Sequence, residues 1–178
     1  MSALPFVCLG LALAQDAAVA EHEPALVDRI VAVVGDRLVL ASDVAIENEI
    51  GARNVYTLAA LAERRKDVSR WLVDMAIVRA LAGDVRVYEP TRQDVADALE
   101  RFAESFGDAA TYRQFLERSG LSQERLQSLL TTRLIVERYI QRNVGLGLAD
   151  AELAERFDAW IAERRQQVAI REIAERSE

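Results

Sequence analysis

The sequence predicts a mainly α domain that carries a small β-hairpin, and three observations predict it. Two short apolar, β-branched runs, residues 30–34 and 38–40, are separated only by Gly35, Asp36 and Arg37. Apolar residues at helical spacing, punctuated by glycines and capping residues, then occupy almost everything up to residue 167. After them Val168, Ile170 and Ile173, with Ala169, Arg171 and Glu172 between them, supply a short terminal strand.

Each element has a local reason. Gly-Asp between two apolar runs provides the positive φ that a two- or three-residue hairpin connection needs. Ser42 and Asp43 offer side-chain oxygens to the free N–H groups of a helix beginning near Val44. Over residues 58–82 the polar positions thin out, and residues 71–82 (WLVDMAIVRALA) are apolar almost all round, broken only by Asp74 and Arg79. Such a helix is central and buried. Gly83 ends it, and Val85, Arg86 and Val87 lead through Pro90 to Thr91, the N-cap of a helix running to about Phe106. Gly107 and Asp108 break that helix. A shorter one carries Tyr112, Phe115 and Leu116 and stops at Gly120, after which Ser122 caps a long helix through Arg142. Residues 150–167 read as one more, with Leu153, Phe157, Trp160 and Ile161 on a stripe. There is no internal repeat and no low-complexity segment.

The domain layout expected is a signal peptide over residues 1–20, a flexible tail over 21–26 and a single domain over 27–178. Residues 4–14 (LPFVCLGLALA) have signal-peptide length, short of the roughly 20 residues that span a bilayer. Small-x-small cleavage sites end at Ala14 and Ala20; the second is favoured because Glu21, His22 and Glu23 then begin a solvated segment. No Lys or Arg precedes the apolar run, and a start codon further upstream would supply one. Bulky Phe6 and Val7 ahead of Cys8 do not suit a lipid-anchor site.

Cleavage after Ala20 leaves 158 of 178 residues, enough for one sizeable core. Loss of Asp16 changes the net charge from −7 to −6. An acidic chain without a basic stripe argues against nucleic acid as a partner. The expected mature chain has no cysteine and a single histidine, His22, in its tail. Disulfides, thiolate catalysis, a Ser-His dyad and an ordinary zinc site are thereby removed, and no metal, cofactor or catalytic residue is expected.

The order of strand, Gly-Asp turn, strand and capped helix in residues 27–44 (VDRIVAVVGDRLVLASDV) resembles the opening of the SurA/PpiC-type periplasmic chaperones. Residues 88–102 (YEPTRQDVADALERF) resemble that family's passage into its next helix, and residues 106–140 resemble its following paired helices. The resemblance implies a helical chaperone domain whose carboxyl-terminal helix and strand return to the amino-terminal hairpin. Pairing of residues 168–173 with residues 30–34 is expected on physical grounds as well, because an isolated two-stranded hairpin is marginal in water. In the family, parvulin isomerase domains are inserted before the return. Here only Gly145 to Ala149 separate Val144 from Asp150, which leaves no room for one.

The function expected is therefore ATP-independent, chaperone-like binding of unfolded or extended envelope and outer-membrane polypeptides, in the periplasm, without stable membrane insertion. The alternatives are a prolyl isomerase, an activity that family members often carry, and a dedicated structural subunit of an envelope assembly complex. The oligomeric state is left open. Trp71 and Trp160 are candidates to line a peptide groove, with a plain core role as the competing reading. Phe102, Phe106, Tyr112 and Phe115, around the Gly107 break, are the better candidates for an accessible apolar surface. Residues 63–67 (ERRKD) read as a solvated helix face. Glu100, Glu104 and Glu117 are scattered carboxylates without a cleft to make them an acid/base pair. On the long helix, Leu126, Leu129, Leu130, Val136, Ile140 and Val144 share a face with Arg133 and Glu137 in its middle. Charges there need partners. Either Arg133 and Glu137 meet locally, or, as favoured, Arg133 crosses to Asp74.

Overall fold

The computed structural model describes residues 28–53 and 58–173. The expected signal peptide, the acidic tail with His22, and Cys8 lie outside the described residues.

Strand β1 (Ile30–Val34) turns through Gly35 and Asp36 into β2 (Arg37–Leu40), with Val34 opposite Arg37. Gly35 has φ 60°, the left-handed conformation that this two-residue connection demands. Helix α1 (Ala41–Gly51) begins three residues before the expected Val44. Its start is capped from both sides: Asp43 accepts the Leu40 N–H at 3.0 Å, and Asp28 accepts the Ser42 N–H at 3.2 Å and the Ser42 hydroxyl. A capping group fourteen residues away in sequence is invisible to a local pattern.

Two 3-10 turns, Ala59–Leu61 and Glu63–Lys66, precede helix α2 (Val68–Ala82), which Asp67 caps by accepting the Arg70 N–H at 3.1 Å. Residues 63–67 are therefore not a solvated helix face. Arg64 turns inward to Asp74 at 3.1 Å and also bonds Asp158, Arg65 is half-buried, and Glu63, Lys66 and Asp67 stay at the surface. The cause is Asp74, 1 % exposed on α2. A carboxylate so placed needs cations delivered to it, and it holds two: Arg64, and Arg165 from the far end of the chain at 2.7 Å.

Helix α3 (Arg92–Glu104) opens with Thr91 as the expected N-cap, and the cap is reciprocal: the Thr91 hydroxyl accepts the Asp94 N–H at 3.2 Å and Asp94 accepts the Thr91 N–H at 2.6 Å. Those bonds, with Arg138 close by, hold the Asp94 carboxyl down at about 2. Helix α4 (Ala109–Ser119) is capped by Asp108, which accepts from Ala110 and Thr111 at 2.9 and 2.8 Å. It ends at Gly120 in the left-handed conformation, φ 61°. Helices α5 (Gln123–Asn143) and α6 (Asp150–Gln167) follow, then strand β3 (Ile170–Glu172).

The terminal strand returns as expected. The sheet has the order β2-β1-β3, antiparallel throughout, with Ala32 opposite Glu172 and Val34 opposite Ile170. Two further bonds of 2.9 Å, Gly35 N–H to Ala169 O and Ile173 N–H to Val31 O, lengthen the join at both ends.

Among the described residues the interior has two apolar clusters. A sheet core joins the inward side chains of β1 and β2 with Trp71, Val73, Ile77 and Val78 of α2, Val136 and Ile140 of α5, and Leu153, Phe157 and Ile161 of α6. An aromatic core gathers Phe102, Phe106 and Phe115 with Ile50, Leu126 and Leu130. Helix α5 runs through both.

Candidate functional site

Four of the side chains proposed for an accessible surface form the second core instead. Phe102 is 0 % exposed and Phe106 8 %, Phe115 is likewise buried, and Tyr112 is half-buried against them. The rings meet edge-on or tilted, with centroids 5.2 Å apart for Phe102–Phe106, 5.6 Å for Phe102–Phe115 and 5.5 Å for Phe106–Tyr112. That is the geometry in which aromatic quadrupoles attract. The Gly107 break that suggested exposure instead folds α4 back so that the rings can meet. The Arg53 guanidinium closes the cluster, 3.4 Å from the Phe106 ring centre. Trp71 is buried in the sheet core, and Trp160 lies half-buried beside Phe157 and Tyr139. Glu100, Glu104 and Glu117 stay exposed.

The charges on the inner face of α5 keep the local Arg133–Glu137 interaction and add a partner that was not expected. Arg133 does not reach Asp74; it is ion-paired with Glu47 of α1. Helix α1 is the neighbour that presents a buried carboxylate at this level of α5, whereas Asp74 is already held by Arg64 and Arg165. Glu137 and half-buried Arg65 complete a four-charge group with no net charge, and the Trp71 indole hydrogen-bonds to Glu47. Burial pushes the Glu47 and Asp74 carboxyls up from their ordinary values, and pushes the Arg133 and Arg65 guanidinia down, against the opposing pull of their ionic partners.

One side of this charged group opens into a groove of about 220 Å³ between the hairpin, α1, α2 and α5. Its apolar wall is Leu72, Met75 and Ala76 of α2, Ile46 of α1 and Leu129 of α5. Leu38 of β2 stands at the margin, 54 % exposed. Arg37, Arg79 and Arg125 form the rim with Asp43, and the Glu47–Arg133 pair is the base. The volume falls below the roughly 300–1,000 Å³ of small-molecule sites, and it suits a side chain or two of a longer ligand lying across it.

No family model matches the chain, and no curated protein matches it.

None of the six aromatic residues singled out from the sequence lines this groove. Its own signal was legible on α2: Leu72, Met75, Ala76 and Arg79 have i, i+3, i+4, i+7 spacing and form a second stripe beside the one that carries Trp71 and Val78. In a helix apolar almost all round, two stripes merge into one. Among the described residues no group of His, Cys, Asp or Glu could hold a metal, and no helix is long and apolar enough to cross a membrane.

Proposed function

We propose that this protein is an ATP-independent, chaperone-like binder of unfolded or extended envelope and outer-membrane polypeptides, of SurA/PpiC type and acting in the periplasm. The observation that carries the reading is the open groove: an apolar wall one or two side chains long, flanked by a strand edge and ringed by charges. Such a surface holds a client segment weakly and tolerates differences in its sequence. The acidic exterior of a chain with net charge −7 keeps the loaded complex soluble. The helix-capped hairpin of residues 27–44 supports the family assignment, and the leader supports the compartment.

The test is suppression of light scattering by an aggregating unfolded client, without ATP, using wild type and Leu38→Asp. Wild type is expected to suppress aggregation at near-stoichiometric ratios. The variant, altered at an exposed position, is expected to lose much of that effect at unchanged melting temperature. Absence of suppression by wild type overturns the reading. A protease-coupled assay on an X-Pro peptide is expected to show only the uncatalysed rate, with relaxation over roughly tens to hundreds of seconds; clear acceleration would restore the isomerase alternative.

A further inference from the structure

The rim of the groove is opposite in charge to the rest of the molecule. Three arginines, Arg37, Arg79 and Arg125, stand there against the single carboxylate of Asp43, above the Glu47–Arg133 pair at the base, in a chain whose net charge is −7. Arg133 is committed to Glu47 at the base, while the Arg125–Asp43 contact at 3.5 Å is long and solvent-exposed on the arginine side. Arg37 projects from the strand into solvent.

The strand edge beside this rim is open. Among the described residues β2 is an outer strand, paired with β1 alone. Across a two-residue turn the flanking pair, Val34 and Arg37, exchanges hydrogen bonds, so the next pair, Val33 and Leu38, does not. The backbone of Leu38 consequently points its N–H and C=O away from β1. The other side of β1 obeys the same alternation: the carbonyl of Val31, which shares its orientation with Val33, accepts from Ile173 of the β3 edge at 2.9 Å.

We infer that the groove takes an extended polypeptide segment, added as a strand along β2, whose groove-facing side chains, at every second position, are apolar and acidic in turn. The Leu38 backbone hydrogen-bonds the segment. Every second side chain of the segment lies on the face that Arg37 shares with Val34 and Val39, where an apolar one enters between Leu72, Met75 and Leu129 and the carboxylates before and after it on that face meet Arg37 and Arg125. This deepens the chaperone-like reading and rests on it, by naming the client sequence that the site prefers.

The experiment is fluorescence anisotropy of the full chain with three labelled peptides of equal length, in which every second position is Leu and, in turn, Asp, Ser or Lys, with Thr at the positions between, together with the client-aggregation assay. The Leu/Asp peptide is expected to bind roughly tenfold more tightly than the Leu/Lys peptide, as two exposed ion pairs supply, and to weaken with salt. Arg37→Glu combined with Arg125→Gln is expected to abolish the preference at unchanged melting temperature. A Leu/Asp peptide N-methylated at alternate amides is expected to bind poorly, because strand addition needs those N–H groups. Suppressed aggregation with equal binding of all three peptides overturns this inference and leaves the chaperone-like reading in place; failure of both assays overturns both. Concentration-dependent dimerisation that Leu38→Asp abolishes would make a second copy the occupant of the edge, and would likewise overturn the inference.

Discussion

The aromatic core and the sheet core are built from different parts of the chain. The aromatic core draws on α3, α4 and the first turns of α5, with Ile50 the one buried member from earlier in the chain among the described residues, so most of its contacts are short in sequence. The sheet core needs Ala32 and Val34 near one end, Phe157 and Ile161 near the other, and a strand pairing between residues 32 and 172. Early contacts of low sequence separation cost less chain entropy, so the aromatic half can assemble before the sheet half is closed. Between the halves, on α5, stands the neutral group of Glu47, Arg65, Arg133 and Glu137. It teaches that the helix is one element serving two interiors, with ions where the apolar surfaces part.

Removing an aromatic side chain tests that division most severely. Phe102→Ala is expected to lose about 3–5 kcal/mol, the scale for emptying a packed aromatic site. Both tryptophans of the chain report on the sheet core. Coincident melting by tryptophan fluorescence and far-UV circular dichroism would show that α5 couples the halves, whereas an unmoved fluorescence midpoint would split them into separate units.

A smaller loss is expected at the ionic seam. Arg133→Met strands Glu47 in the interior and should lower stability by about 3 kcal/mol, because a buried charge without its partner is costly. Combining it with Glu47→Leu is expected to recover most of that loss, since Arg65 and Glu137 remain as a balanced pair. Additive losses in the four-member mutant cycle would mean that the pair does not interact.

Gly120→Ala acts within the aromatic half alone. At φ 61° a Cβ is strained although open space surrounds it, and about 1–2 kcal/mol is expected to be lost in urea denaturation. The corresponding pH effect is smaller still. Asp94 titrates at about 2 in the folded protein against an ordinary 3.8, so its contribution is complete above about pH 4 and disappears as the pH falls towards 2. Asp94→Asn should flatten that part of the stability curve. Glu47 and Asp74, raised by burial, act with opposite sign: the folded state binds their protons more readily, which tempers the acid loss.

Features carried by adjacent residues were legible in the sequence. The Gly35 turn, the Thr91 and Ser122 caps, the Gly120 stop and the bounds of α6 all follow from neighbours within four positions, and the return of β3 follows from the insufficiency of a lone hairpin. Charge partners were not legible. Arg133 and Glu47 are 86 positions apart, and Arg165 and Asp74 are 91. A sequence shows that a buried charge needs a counterion without showing which element brings it. The candidate site was missed for a related reason: aromatic residues near a glycine break suggested exposure, but their mutual packing uses that break, while the groove is walled by ordinary aliphatic residues.

The pairing of β1 with β3 also sets how the domain answers a pulling force. The incoming end of β1 and the outgoing end of β3 lie side by side, with Ile173 bonded to Val31 there. Tension applied through the chain on both sides therefore loads that bond first, then its neighbours one after another, as in opening a zipper. The hydrogen bonds cannot share the load in parallel as sheared strands do. The fold should yield at low force from its sheet, while the aromatic half, outside the line of tension, stays assembled until α5 is drawn away.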